Sequence, residues 1–360
     1  VRARIFKFIF LYLVALTVLP LLNYTIGLTS HKLGSLKDRY YSGDYLRYLI
    51  AQAARPFGVS LESEQVVIGK DGWLFLGDQY ARSISYKREG ALLHHLEEGK
   101  QIFEAANSWQ TWLQQNGVKV FKILLCPDKS TIYPEYLPLW AEPKEPSRTD
   151  FLLKLNPSQV VYPKNALLSR KELEEYPFYF KTDSHWNFHG AWIGYQSLSN
   201  AITSELPEIK WLNESDISYQ REAKFRASDL LRLMGLGDHE FIVESDILIG
   251  GKPEISFSER ANGSNDDWVN HSAALSEIAP KRWKLTKFPN ALNSSRVLWI
   301  RDSSGNSLFS LMGSTFSEIL QIHTDDILYS PKDIKDVVLE YKPDYVIMSV
   351  VERSFTTLKF

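Results

Sequence analysis

Val118-Lys119-Val120-Phe121-Lys122-Ile123-Leu124-Leu125-Cys126 is the run that decides the fold class. It is rich in β-branched and apolar residues, and Lys119 and Lys122 are its only charges. That is the composition of a strand covered on both faces, as in a parallel sheet. Just before it, Leu93, Leu96, Ile102, Phe103, Ala106, Trp109 and Leu113 fall at helical spacing, and Asn116-Gly117 supplies a stop. The pattern predicts a long amphipathic helix over residues 92–116. A helix delivered into a buried strand predicts right-handed βαβ construction, hence an α/β protein with a mostly parallel central sheet. The same alternation returns late in the chain, with strands expected at 296–300, 318–323 and 344–351 and helices at 304–316 and 330–340.

Working outward, Pro127 to Pro134 follows the carboxyl end of the first buried strand, where open α/β sheets place their ligands. Lys129 is a candidate charge for a substrate there, with a solvated loop lysine as the alternative, and Tyr133 is a candidate contact. Upstream, Val66 to Asp78 predicts a hairpin around Lys70-Asp71-Gly72, because Asp-Gly supplies the positive φ of a turn. Residues 31–54 carry Tyr-rich helical spacing, broken by Pro56 and Gly58, and read as a helical stalk over 29–58. Residues 59–360 are expected to form the main domain. Within it, 205–295 is the least regular part, read as an elaboration with a short glycine-stopped helix at 228–236 and a polar excursion at 259–270.

The chain has 360 residues, 44% of them hydrophobic, enough for a full core. Its 10 Trp and 18 Tyr hint at an apolar-faced groove for a sugar-like ligand, although core packing is the weightier reading. A net charge of -2 leaves no basic stripe for phosphates, so nucleic acid is excluded as a partner. The single Cys126 rules out an intramolecular disulfide. Ile5 to Leu22 is nearly unbroken apolar sequence behind Arg2, Arg4 and Lys7. Its length suits a bilayer core and its basic flank sets the start inside, so residues 1–28 are expected to be an uncleaved signal anchor in the inner membrane. The catalytic part would then be periplasmic or otherwise extracytoplasmic.

Lys181-Thr182-Asp183-Ser184-His185-Trp186-Asn187 carries the candidate chemistry. An acid and an imidazole two residues apart, before a helix capped by Asn187, can serve as the base half of a nucleophilic machine. The serine would come from Arg301-Asp302-Ser303-Ser304-Gly305, a strand-to-helix turn that would expose the Ser303 Oγ and aim the next N–H groups at an oxyanion. Taken alone, His185 fits a structural histidine or a metal ligand equally well, and Asp302 or Ser303 fits a helix cap. His189 stands four residues after His185, but the glutamate of the usual zinc helix is missing, and no metal or other cofactor is expected.

Residues 182–187 with Gly190-Ala191 resemble the Asp-x-His-Trp-Asn signature of the alginate O-acetyltransferase family of the AlgJ/AlgX type. Further stretches match in the same order: Gly69 to Phe75, Pro127-Asp128-Lys129 with Ile132-Tyr133-Pro134, Asp229-Leu230 with Met234-Gly235-Leu236, Asp302-Ser303, and Lys342-Pro343-Asp344 with Glu352-Arg353. The resemblance implies a three-layer SGNH-hydrolase-like fold with reordered catalytic blocks and a triad of Ser303, His185 and Asp183. It implies an O-acetyltransferase working through a seryl-acyl intermediate on an exported polysaccharide such as alginate, with a membrane-bound O-acyltransferase as donor partner. An acetylesterase and an inactive polysaccharide-binding scaffold are the alternatives. Arg301 stands where the family has a glycine and, with Trp186, is a candidate substrate contact.

Overall fold

A computed structural model describes residues 7–21 except 8, 15 and 19; 44–217 except 175; 224–236 except 227; 242–244; 255–261; 269–273; and 284–357 except 328–330. The apolar faces of successive elements decide how they stack. Helix α1 (Asp44–Ala54) leads into a hairpin of β1 (Val66–Ile68) and β2 (Leu74–Leu76), which pair antiparallel across Asp71 and Gly72, both at positive φ. A short helix α2 (Ser85–Glu89) and the long helix α3 (His94–Gln115) precede β3 (Val120–Cys126). Helix α4 (Lys129–Ile132), β4 (Val160–Val161) and helix α5 (Phe188–Thr203) follow, and the Asn187 side chain caps α5 by accepting from Gly190 N at 3.0 Å.

Five parallel strands make the sheet's core, in the order β4, β3, β12 (Tyr345–Val351), β10 (Asn293–Arg301) and β11 (Phe316–His323). Strand period sorts β3 in two: Val120, Leu124 and Cys126 face one side, Phe121, Ile123 and Leu125 the other. The first face packs under α5 through Trp192, Ile193 and Leu198. The second packs under α3 through Ile102, Phe103 and Ala106, and under the late helix Pro331–Tyr341 through Ile334 and Val338. Three layers result, with a mostly parallel sheet in the middle, as the α/β reading expects. Lys122 sits on the α5 face, almost fully buried, where Glu205 and Ser158 O take up its charge.

The stretch read as irregular contributes to the same sheet. Strands β7 (Ile255–Ala261), β8 (Val269–Ala273) and β9 (Lys284–Lys287) extend it antiparallel beyond β11, while β5 (Lys224–Arg226) and β6 (Ile242–Glu244) form a separate pair. Much of the expected polar excursion at 259–270 lies outside the described residues. Of the expected membrane anchor, the described positions between Lys7 and Leu21 are helical, with Phe10, Leu11 and Leu21 exposed. Residues 22–28 lie outside the described set, and among the described residues no helix is long and apolar enough to cross a membrane.

Candidate active site

The 181–187 loop is closed on itself before anything else touches it. Tyr179 and Trp186 form an antiparallel bridge, and Asn187 N donates to Phe178 O at 2.9 Å. Gly190 makes this closure possible, since a Cβ there would stand 2.5 Å from Phe178 O. Lys129 then holds the loop from below. Its ammonium, in a side chain only 4% exposed, donates to Phe180 O at 3.1 Å, Lys181 O at 3.0 Å and Asp183 O at 2.8 Å, beside the rings of Trp73 and Phe75. Instead of pointing freely at a substrate, this cation gathers the loop's carbonyls.

Inside the closed loop, Asp183 and His185 form a tight pair. Asp183 is buried; its Oδ1 accepts the His185 backbone N–H at 3.0 Å and lies 2.6 Å from His185 Nδ1. A carboxylate can only accept, so the proton of that short contact belongs to Nδ1, and neutral His185 keeps the lone pair of Nε2 for another partner. The ring is 21% exposed, open enough for a substrate and closed enough to keep its orientation. This is the chemistry of a general base held by an acid.

The serine turn is built with equal care. Strand β10 ends at Arg301, and Asp302 caps a 3-10 turn over Ser303–Leu308. One Asp302 oxygen takes the Ser304 N–H at 2.8 Å together with the Ser304 hydroxyl, and the other takes Val351 N at 2.7 Å. Gly305 N donates to Asp302 O at 3.2 Å. The expectation that the N–H groups after Ser303 aim at an oxyanion is therefore corrected: the Asp302 cap occupies those of Ser304 and Gly305.

The two distant stretches meet through their neighbours. Trp186 Nε1 donates to Ser304 O at 2.8 Å, and Ser307 Oγ donates to Trp186 O at 3.3 Å. The residues flanking Ser303 thus rest on the residue that follows His185. These hydrogen bonds bring the Ser303 turn and the His185 loop side by side.

The other expected contacts lie in the interior. Trp186 is fully buried, its ring against Gly194, and positions the serine turn. Tyr133 is buried beside Trp73 at 4.6 Å, accepts Phe178 N at 2.9 Å, and burial pushes its hydroxyl up to about 12. Arg301 reaches Gln321 at 3.1 Å, Asn306 at 2.7 Å and Asp302 O at 3.0 Å; burial lowers it to about 10 against the pull of Asp302. His189 lies edge-on to Phe178 and 3.7 Å from Glu174, and burial lowers its pKa.

Two groups escaped the sequence reading. Asp229 receives Ser184 N at 2.8 Å and lies 3.4 Å from His185 Nδ1; Asp183, His185 and Asp229 offer ligand atoms within 4.8 Å of one another. That compactness is already accounted for by the hydrogen bonds described. Beside the loop, Glu352 joins Lys87 at 2.7 Å, and Arg353 joins Asp128. A depression lined by Ser184, Lys129, Asp128 and Arg353 continues past Ser83 into a second one lined by Tyr86, Lys87 and Arg148. Asp229 and Glu352 stand in stretches whose order already pointed to a family, so the signal existed; Lys87 had none.

With this geometry in view, the comparisons are consistent. The solved structure of Bacillus cereus PatB1 is 18% identical and superposes with a TM-score of 0.58, covering 81% of this chain and 96% of that one. A DHHW family protein from Eubacterium siraeum is 16% identical, with a TM-score of 0.54 over 83% and 94% of the two chains. The O-acetyltransferase domain of Pseudomonas putida AlgJ, 16% identical, gives 0.49 over 82% and 93%. At these identities the first two show a common fold. No curated protein matches the sequence. The family described as "SGNH hydrolase-like domain, acetyltransferase AlgX" matches residues 66–248, a span that includes the hairpin, β3, the Asp183–His185 loop and Asp229. The chain belongs to this SGNH hydrolase-like AlgX acetyltransferase family.

Proposed function

We propose that the protein is a serine-dependent O-acetyltransferase that moves an acetyl group onto hydroxyls of an exported polysaccharide, alginate or a similar glycan. In the first half-reaction Ser303 Oγ attacks the acetyl carbonyl, its proton passes to His185 Nε2, and the departing group leaves with that proton. In the second a sugar hydroxyl attacks the acetyl-serine, gives its proton to His185, and Ser303 recovers it. Asp183 keeps Nδ1 protonated and steadies the imidazolium between the two halves. Arg301 positions the serine turn, and Lys129 the loop.

One observation carries this reading: the Ser303 turn is fastened to Trp186, next to a His185 already paired with Asp183 at 2.6 Å. The exposed apolar helical residues between Ile9 and Leu21, behind a basic start, support an anchor in the inner membrane with the catalytic domain outside. A membrane-bound O-acyltransferase would then deliver the acetyl group. The test is acetate release from an activated acetyl ester, with and without an acceptor glycan. Ser303→Ala, His185→Ala and Asp183→Ala proteins should fold yet lose the activity by at least ~10². Full activity in Ser303→Ala would overturn the proposal. Acetylated glycan, as against free acetate, separates transfer from hydrolysis.

A further inference from the structure

We infer that Asp229 is a second carboxylate serving His185, a positioning residue that steadies its imidazolium. The inference deepens the proposed acyl transfer and rests on it.

Asp229 opens the short helix Asp229–Leu233, and three contacts seat that helix on the catalytic loop. The Ser228 hydroxyl donates to Thr182 O; Asp229 N donates to Asp183 Oδ2 at 3.2 Å; Asp229 Oδ1 accepts Ser184 N at 2.8 Å. Asp229 Oδ2 accepts the Ser184 hydroxyl and lies 3.4 Å from His185 Nδ1. Consecutive residues of one segment thus grip consecutive residues of another. The helix is fixed from behind, where Leu230, Leu231 and Met234 pack with Val66, Leu74 and Ala51 of α1.

Charge says why a second acid is needed. Lys129 brings a buried ammonium to the same loop, 2.8 Å from Asp183 O. When His185 takes the proton from Ser303, a new positive charge forms close to that ammonium. Asp229 places a second carboxylate 3.4 Å from the ring, beside the one Asp183 provides. Its side chain is 30% exposed, at the open side of the ring. Asp183 fixes the tautomer, and Asp229 stabilises the imidazolium and holds Ser184 and the loop in register.

Acetyl-ester turnover tests this in the full chain with Asp229→Asn, Asp229→Glu, Ser184→Ala, Asp183→Asn and the Asp183→Asn/Asp229→Asn pair, alongside Ser303→Ala. Asp229→Asn removes the charge and one of the two acceptor oxygens, and keeps the other for the Ser184 N–H. It should lower kcat by about tenfold with KM and Tm nearly unchanged, a loss of the size expected of one close charge contact. Asp229→Glu should recover part of that loss. Ser184→Ala should cost less than about threefold, the scale of one exposed hydrogen bond. The pair should fall below Asp183→Asn by roughly tenfold or more, because Asp229 is then the remaining acid. The inference is overturned by an Asp229→Asn protein within twofold of wild type, by Ser184→Ala reproducing its whole loss, or by a pair no slower than Asp183→Asn. If Ser303→Ala kept full turnover, the acyl-transfer reading would fall first and take this inference with it.

Discussion

Replacing Glu352 by Gln should cost the protein about 3 kcal/mol at neutral pH and almost nothing in acid. Glu352 follows β12, is 5% exposed, and accepts from Asp128 N at 2.9 Å, Thr131 Oγ at 2.5 Å and Lys87 Nζ at 2.7 Å. Burial alone would raise its pKa, but the Lys87 ammonium and the hydrogen bonds from Asp128 and Thr131 outweigh it and hold the group at about 2, against an ordinary 4.5. Converted to free energy, that fall is about 3 kcal/mol. A second route agrees: removing one partner of a buried pair costs roughly 3–5 kcal/mol, here because the closer of the two carboxylates at Lys87 is lost, leaving Asp128 at 3.5 Å and the Thr131 hydroxyl. Lys87 answers in kind: burial lowers its pKa, and Glu352 and Asp128 more than restore it. The unfolded chain protonates Glu352 near pH 4.5 and the folded one only near 2, so this stability is whole above about pH 5 and is lost as pH falls towards 2. Denaturant melts of wild type and Glu352→Gln should therefore differ by about 3 kcal/mol at pH 7 and converge by about pH 2–3. A gap under about 1 kcal/mol at pH 7, or one unchanged at pH 3, would refute the reasoning.

Lys129→Met removes three charge-assisted hydrogen bonds from the loop, each worth roughly 1.5–3 kcal/mol, partly offset by no longer burying an ammonium. Turnover should drop by about 10², and Lys129→Arg should not restore it, because a planar fork cannot reach three carbonyls from one nitrogen; steady-state kinetics decide. Trp186→Phe deletes the bond to Ser304 O, with an expected loss of about 1 kcal/mol in a thermal or denaturant melt. Its kcat should fall while KM holds if, as proposed, the serine turn meets the substrate, because Trp186 is buried beneath that turn.

The parallel core was legible because strands covered on both faces must be apolar throughout: 120–126, 297–300 and 345–351 leave little room for another reading. The late antiparallel strands were not. Ile255-Ser256-Phe257-Ser258-Glu259-Arg260 mixes charge into its pattern, and pairing with β8 and β9, rather than local preference, makes it a strand. Among the described residues Trp73, Trp186, Trp192 and Trp299 are all buried, as core packing would have it, while Trp140 and Phe57 are exposed. In the site, Asp183 and His185 were readable because they are neighbours in sequence. Asp229 was not readable as a partner, since only folding carries it to Ser184. The oxyanion expectation failed for a local reason: an aspartate before a serine turn claims the nearest amides for itself.

The serine turn depends on a strand that follows it in sequence. Asp302 is pinned by Val351 N and donates its own N–H to Ser349 O, so the hydroxyl at 303 has no fixed aim until β12 has been laid between β3 and β10. Synthesis runs from the amino end, and a growing chain would hold its histidine and both aspartates long before that strand arrives. A chain that has not yet reached β12 therefore lacks the two backbone partners that hold Asp302 at the head of the turn.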